Sequence, residues 1–390
     1  MAPDEYSTLL SALQHLPDPR KARGKRYSWT LLLTIIVAGL ASNYQTAHAI
    51  AQWARLHASE LRAALPELVR IPSASTLLRT LRQIDSSALE QHMAQFVASL
   101  PTSTPYAGCI ISPHGEIIQG QAIDGKTVRT ATAHGDRTHL VSLVQHGSGQ
   151  TLAQTEVATK RNEVTASQQL LAARDLTGTV TTMDAGVTQR TVAQQIRQCG
   201  GQYLMVVKKN HPQMYAELAL FFELPGLLAD DEHYDRCRTL SKGHGRVETR
   251  TLECLSGSCP EWQWPDAAQV LRRTCVRLER TKGKCTSTVS YAITSLTFEE
   301  ARAAELELLW RGHSPIENGK HYVRDVTLGE DRQQMHTGHA AQVVAALRNS
   351  LIDLWRSLGW SNIADAVRDT AASVQRALSF IGALPIATLT

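Results

Sequence analysis

The sequence predicts an α/β protein, a mixed sheet with flanking helices that the chain enters and leaves through helical regions. Three observations predict it. Helical periodicity dominates both ends of the chain. Alternating, β-branched segments are confined to the middle. Those strands first follow one another directly and then alternate with helices, the pattern of a mixed sheet with helices packed on it. At 390 residues the chain has room for about two or three domains. Hydrophobic residues make up 43% but aromatics only 5%, so Leu, Val, Ile and Ala must build the core.

The N-terminal region, 1–105, reads as helical. Ser7 to Leu16 opens with a Ser cap, and a basic loop follows, Asp18-Pro-Arg-Lys-Ala-Arg-Gly-Lys-Arg26. Next come an apolar helix over Leu31 to Leu40 and an amphipathic one around Ile50, Trp53 and Leu56. In the capped helix from Pro72 to Arg82, Leu77, Leu78, Leu81 and Ile84 share one face and leave Arg79 and Arg82 near the other. Such a helix could enter a DNA groove or present an ordinary solvated face. Pro101 to Pro105 is a linker rich in Ser, Thr and Pro.

Strands follow at Glu116 to Ile123, His139 to Gln145 and Gln150 to Thr159, with a turn at Gly147-Ser-Gly149. Asn162 caps a helix, and the β-branched strand Thr179 to Met183 ends at Asp184. A helix from Gln189, a strand at Tyr203 to Val207 and a helix ending near Phe222 complete the alternation. From 229 to 290 the charge clusters and Gly, Cys and Pro turns read as an irregular insertion. Tyr291 to Leu296 resumes as a strand, and helices are expected over Glu299 to Arg311, Ser314 to Arg324 and from Gly338 onward. These boundaries divide the chain into 1–105, a core at 108–335 with its insertion, and a helical region at 336–390.

Net charge is +4, which is compatible with nucleic acid as a partner. The apolar run at 31–40 falls short of the ~20 residues that span a membrane, and no signal peptide is visible. A soluble, cytoplasmic chain with no membrane partner is expected. Seven cysteines suggest reduced thiols; Cys254, Cys259, Cys275 and Cys285 are too loosely spaced for a persuasive zinc site.

Three carboxylates and several cations carry the candidate chemistry. Asp184 ends a strand, where open α/β sheets place ligands, or is a turn residue in Asp184-Ala-Gly186. Asp124 is a carboxylate on the first strand or part of an Asp-Gly hairpin turn. It also lies inside Gly120-Gln-Ala-Ile-Asp-Gly-Lys-Thr127, a literal phosphate-loop match. The β-branched residues after it start no helix, so nucleotide binding is the alternative rather than the lead. Glu317 completes a capping box with Ser314, or is a functional acid with Trp310, His313, His321 and Arg324 around it. Lys208, Lys209 and Arg246 sit in compact basic groups suited to a phosphate backbone.

Ala122-Ile-Asp-Gly-Lys126, Met183-Asp-Ala-Gly186, Val207-Lys-Lys-Asn210, Gly243-His-Gly-Arg-Val-Glu248 and Ile316-Glu-Asn318 stand in a telling order. With Arg324-Asp-Val326, Glu330-Asp-Arg332, Ala345-Ala-Leu-Arg-Asn349 and Asp18-Pro-Arg20 they cover nearly the whole chain. The chain resembles the ISAs-type, H-repeat-associated insertion-sequence transposases. The resemblance implies an RNase H-like catalytic domain interrupted by an insertion before its last acidic helix. It implies Asp124, Asp184 and Glu317 as catalytic residues holding two Mg²⁺ or Mn²⁺ ions, and double-stranded DNA as partner with a homo-oligomer assembled on it. Lys126, Lys208, Lys209, Arg246, Lys320 and Arg324 are the expected DNA contacts. A retained transposase that only binds DNA is a further alternative.

Overall fold

The computed structural model describes residues 6–23, 25–101, 106–131, 137–157, 162–172, 174–224, 233–243, 245–257, 263–281, 283–333, 335 and 338–385. It leaves out the side chains of 128–131, 137–138, 315, 317 and 318. Most of the 101–105 linker, and Cys259, lie outside these residues.

Among the described residues, six helices open the chain: α1 (Leu9–Gln14), α2 (Trp29–Ala41), α3 (Ala47–Leu56), α4 (Ala58–Ala64), α5 (Ala74–Gln83) and α6 (Ser86–Ser99). Side-chain oxygens of Thr8, Ser28, Thr46, Ser73 and Asp85 cap five of them, each accepting a backbone N–H of the first turn. Among the described residues, three helices close it: α11 (Ala340–Ser357), α12 (Ile363–Ala371) and α13 (Val374–Phe380). The two sets share one apolar core, in which Leu32, Ile36, Leu77 and Phe96 pack with Val343, Leu347, Trp355 and Leu378. The helical regions at the two ends are thus one body, which the long sequence separation hides.

The sheet begins with β1 (Cys109–Ile111) and β2 (Ile117–Ala131), then β3 (Arg137–Gln145) and β4 (Thr151–Val157). Helix α7 (Glu163–Ala172), β5 (Thr179–Met183), α8 (Arg190–Gln198), β6 (Gln202–Val207) and α9 (Pro212–Phe221) follow. The strand order is β4-β3-β2-β5-β6, then β10 (Lys284–Thr294), β9 (Gln269–Glu279), β8 (Arg246–Ser256) and β7 (Tyr234–Gly243), with β1 beside β2. β5 runs parallel to β2 and to β6, whereas β3 and β4 are antiparallel. An antiparallel meander followed by two parallel strands fed through helices is the RNase H-like arrangement. Ile123, Met183, Met205 and Val207 face α7, α8 and α9. Val180, Leu204 and Val206 face the opposite helix, α10 (Ala303–Pro315).

Two sequence expectations change. The region 229–290 is not irregular: β7 (Tyr234–Gly243), β8 (Arg246–Ser256), β9 (Gln269–Glu279) and β10 (Lys284–Thr294) extend the sheet as long antiparallel strands. The charge clusters are cross-strand pairs. Glu253 sits opposite Arg272 and Glu248 opposite Arg277, each bridged at 2.7 Å. The second change concerns Pro315, which does not separate two helices. The chain continues from α10 into π-helical turns over Ile316–His321 and Val323–Thr327.

Candidate active site

Strand register brings the first two carboxylates together. Ile123 pairs with Met183 in the parallel β2–β5 ladder, so Asp124 and Asp184 each follow the last paired position, Asp124 still within β2 and Asp184 just past the end of β5. Asp124 is not in a turn; it pairs with Ser142 of β3 inside a strand that runs on to Ala131. The same continuity removes the phosphate-loop alternative. Gly120 to Thr127 is extended throughout and opens no helix whose amides could hold phosphate.

Strand alternation puts Asp124 on the face of Ala122, which packs against Ile316 of the π-helical turn. His321 Nδ1 lies 3.5 Å from Asp124 Oδ2, and His313 Nδ1 lies 3.0 Å from Thr182 Oγ1, two residues before Asp184. Glu317 lies midway between His313 and His321 on the helix that crosses these strand ends. It cannot complete a capping box at Ser314, because Ser314 is already inside α10.

Behind His313, the buried His146 Nε2 lies 3.0 Å from Thr182 Oγ1, and Thr182 donates to Gln121 O at 3.1 Å. Burial, then His313, pull His146 down to about 3. Burial lowers His313, against the opposing pull of Asp184. Burial, then the Arg324 and Lys126 cations, hold His321 well below its ordinary value. All three imidazoles are therefore neutral at pH 7. Burial raises Asp184, but the Lys208 ammonium, 2.8 Å from its Oδ1, and the Ala185 N–H outweigh it and keep the carboxyl below its ordinary value. Asn210 donates to Ala185 O at 2.7 Å and so fixes the turn after Asp184.

The expected DNA contacts divide into two groups. Lys208, Lys209 and Arg246 are exposed, Lys208 beside Asp184 and Arg246 at the tip of the β7–β8 hairpin. Lys126, Lys320 and Arg324 are buried: Lys126 Nζ lies 2.6 Å from Asp325, Lys320 pairs with Asp353, and Arg324 Nη2 lies 2.8 Å from Glu330. As placed, these three are closed to a phosphate backbone. Sequence reasoning missed His146, Thr182 and Asn210, whose chemistry depends on partners remote in the chain. Only the run Val207-Lys-Lys-Asn210 hinted at the last.

Among the described residues, no three His, Cys, Asp or Glu side chains converge as a metal site. The pair that does converge suits a hard divalent cation. Two carboxylates stand side by side, the nearby imidazoles are neutral, and the Lys208 ammonium already occupies a cation position against Asp184. Also among the described residues, no helix is long and apolar enough to cross a membrane.

Residues 116–353 match the family model described as "Transposase DDE domain", and residues 10–97 match one described as "DDE_Tnp_1-associated". The chain belongs to the DDE transposase family. It is 30% identical over 299 residues to "Putative transposase YncI" of Escherichia coli O157:H7, covering 73% of this chain and 71% of that one. It is 24% identical over 365 residues to "H repeat-associated putative transposase YhhI" of Escherichia coli K12, covering 90% of each. A solved structure titled "Cryo-EM structure of piggyBac transposase synaptic complex with hairpin DNA (SNHP)" has a TM-score of 0.40 at 10% identity, over 97% of this chain and 78% of that one. The fold assignment of this transposase rests on its strand order, not on that likeness.

Proposed function

We propose that this transposase cleaves DNA at insertion-sequence ends and transfers the freed strands, with divalent ions held by Asp124, Asp184 and Glu317. The observation that carries this reading is the β2–β5 register, which sets Asp124 and Asp184 side by side beneath the helix bearing Glu317. Bound there, two Mg²⁺ or Mn²⁺ ions supply an activated attacking oxygen and charge stabilisation for the leaving one. Asp124 and Asp184 contribute negative oxygen donors, and the Asp184 carboxyl is held ionised well below neutral pH. His313 and His321, being neutral, add no charge that would compete with an ion. Lys208 pairs with Asp184 and is exposed enough to turn toward a DNA phosphate.

Strand transfer exchanges one phosphodiester for another, with a DNA 3′-hydroxyl replacing water as nucleophile, so no nucleotide cofactor is required. The partners are double-stranded DNA carrying the terminal inverted repeats, target DNA, and a second copy of the chain assembled on them. Lys208, Lys209 and Arg246 are the DNA contacts of this proposal. The test is nicking of labelled element ends by purified protein in Mg²⁺ or Mn²⁺. Asp184→Asn is expected to abolish nicking while leaving the unfolding curve in place. Cleavage that survives the substitution would sink the assignment, and DNA binding without cleavage in any divalent ion would favour the binding-only alternative.

A further inference from the structure

Helix α11 belongs to the helical body, in whose core its Val343, Leu347, Leu351 and Trp355 are buried. Three polar residues of α11 instead reach the chain around Glu317. Arg348 Nη1 lies 3.6 Å from Glu330 Oε1, and Glu330 pairs with Arg324. Asp353 accepts from Lys320. The half-buried Arg356 donates from Nη2 to Gly319 O at 2.6 Å, two residues after Glu317. Of the three, Arg356 is the one that bonds the backbone of the π-helical turn itself.

The same guanidinium lies against the turn between β3 and β4. Its Nη1 is 3.5 Å from Gly149 O, and Asp353 accepts the Thr151 N–H at 3.0 Å. Asp353 and Arg356, neighbours on one face of α11, thus fix residues 319–320 and 149–151 relative to each other. Both glycines leave the guanidinium its place: a Cβ on Gly149 would stand 2.5 Å from Nη1, and one on Gly319 3.1 Å from Nη2. A brace has a task here. π-helical bonding is rare and confined to short stretches, so neighbouring contacts must hold its register against the α-helix that leads into it. A change of register between Ile316 and His321 would move the position of Glu317 relative to Asp124 and Asp184.

We propose that Arg356 is a positioning residue: through Gly319 O it holds the π-helical turn, and with it Glu317, in register with Asp124 and Asp184, and so ties the ion site to the helical body. The inference rests on the reading of Glu317 as an ion ligand. Arg356 acts through the backbone and touches neither ion nor DNA.

The experiment titrates full-length protein with Mn²⁺, following the spin-resonance signal of free Mn²⁺, and measures kcat for nicking of element ends. Duplex affinity is measured in chelator, and urea unfolding reports folding. R356A is expected to weaken Mn²⁺ binding and lower kcat, each by about tenfold or more, while duplex affinity stays at the wild-type value. Millimolar free guanidinium, filling the space the side chain leaves, is expected to restore part of both. If R356A does not fold, R356M, which keeps the stem and loses the donors, is judged by its Mn²⁺ binding and kcat. Wild-type Mn²⁺ affinity and kcat in the folded variant overturn the proposal. So does a loss in R356A that free guanidinium leaves untouched, because Arg356 then serves stability alone. E317Q separates the two readings. If E317Q loses Mn²⁺ binding and nicking and the Arg356 variant loses neither, Glu317 stands as a ligand and Arg356 does not position it. If E317Q binds and nicks as wild type does, the reading of Glu317 itself is wrong.

Discussion

Replacing Lys320 by methionine keeps most of the stem and deletes one buried charge. Lys320 is 2% exposed and Asp353 1%. The ammonium donates to Asp353 Oδ1, and Asp353 Oδ2 accepts the Thr151 N–H at 3.0 Å. Lys320→Met therefore leaves a buried carboxylate with a single backbone donor, which costs about 3–5 kcal/mol. Adding Asp353→Asn removes the stranded charge but keeps an acceptor for Thr151, so the double variant should lose only about 1–2 kcal/mol. In the Lys320→Met background, Asp353→Asn should therefore recover about 2–3 kcal/mol of stability instead of costing any. Urea unfolding of the four proteins at pH 7 measures it. Burial, opposed by Asp353, pulls the Lys320 ammonium down to about 8, so it is still largely charged at that pH. The same variants, bound to DNA over a range of salt, should keep the wild-type salt slope. Recovery below about 0.5 kcal/mol, with a slope reduced by about 0.9, would refute the buried pair and return Lys320 to the DNA interface.

Two further outcomes are expected. Glu90, on α6, accepts from Gln154 Nε2 at 2.9 Å, and burial lifts its carboxyl from 4.5 to about 8, against Gln154, Arg324 and Gln342. Between those values the folded protein keeps a proton that the unfolded chain has released, so stability falls as pH rises through that window. Discounted for partial exposure, the loss should be about 3 kcal/mol from pH 5 to pH 8. Glu90→Gln should flatten it in urea unfolding at the two pH values, and an unchanged slope would contradict the reasoning. Lys208→Ala should weaken binding to any duplex and lower the salt slope by about 0.9, and binding assays at several salt concentrations would read an unchanged slope as no phosphate contact.

Legibility in the sequence followed the physical range of each signal. Alternation marked β3, β5 and β6, and caps marked several helices, because both are written within a few residues. Asp184 was visible as a strand end, and Asp124 lost its turn and phosphate-loop readings once β2 proved continuous. Lys126, Lys320 and Arg324 read as exposed cations for the opposite reason. Nothing local tells Lys126 that Asp325 is its partner, or Lys320 that Asp353 is. The β7–β10 strands looked irregular because their charges are satisfied across strands, and the common core of α1–α6 and α11–α13 joins the two ends of the chain. The pairing of Asp124 with Asp184 likewise needed the β2–β5 register, and Glu317 was singled out through family resemblance.

Metal rescue tests the three-carboxylate site most directly. Asp184→Cys and Glu317→Cys each exchange a hard oxygen donor for a softer thiolate, which Mn²⁺ tolerates better than Mg²⁺ does. If these residues hold the ions, each variant nicks element ends feebly in Mg²⁺ and recovers activity in Mn²⁺. If either variant shows the same activity relative to wild type in both metals, that residue is not a ligand and the site described here is incorrect.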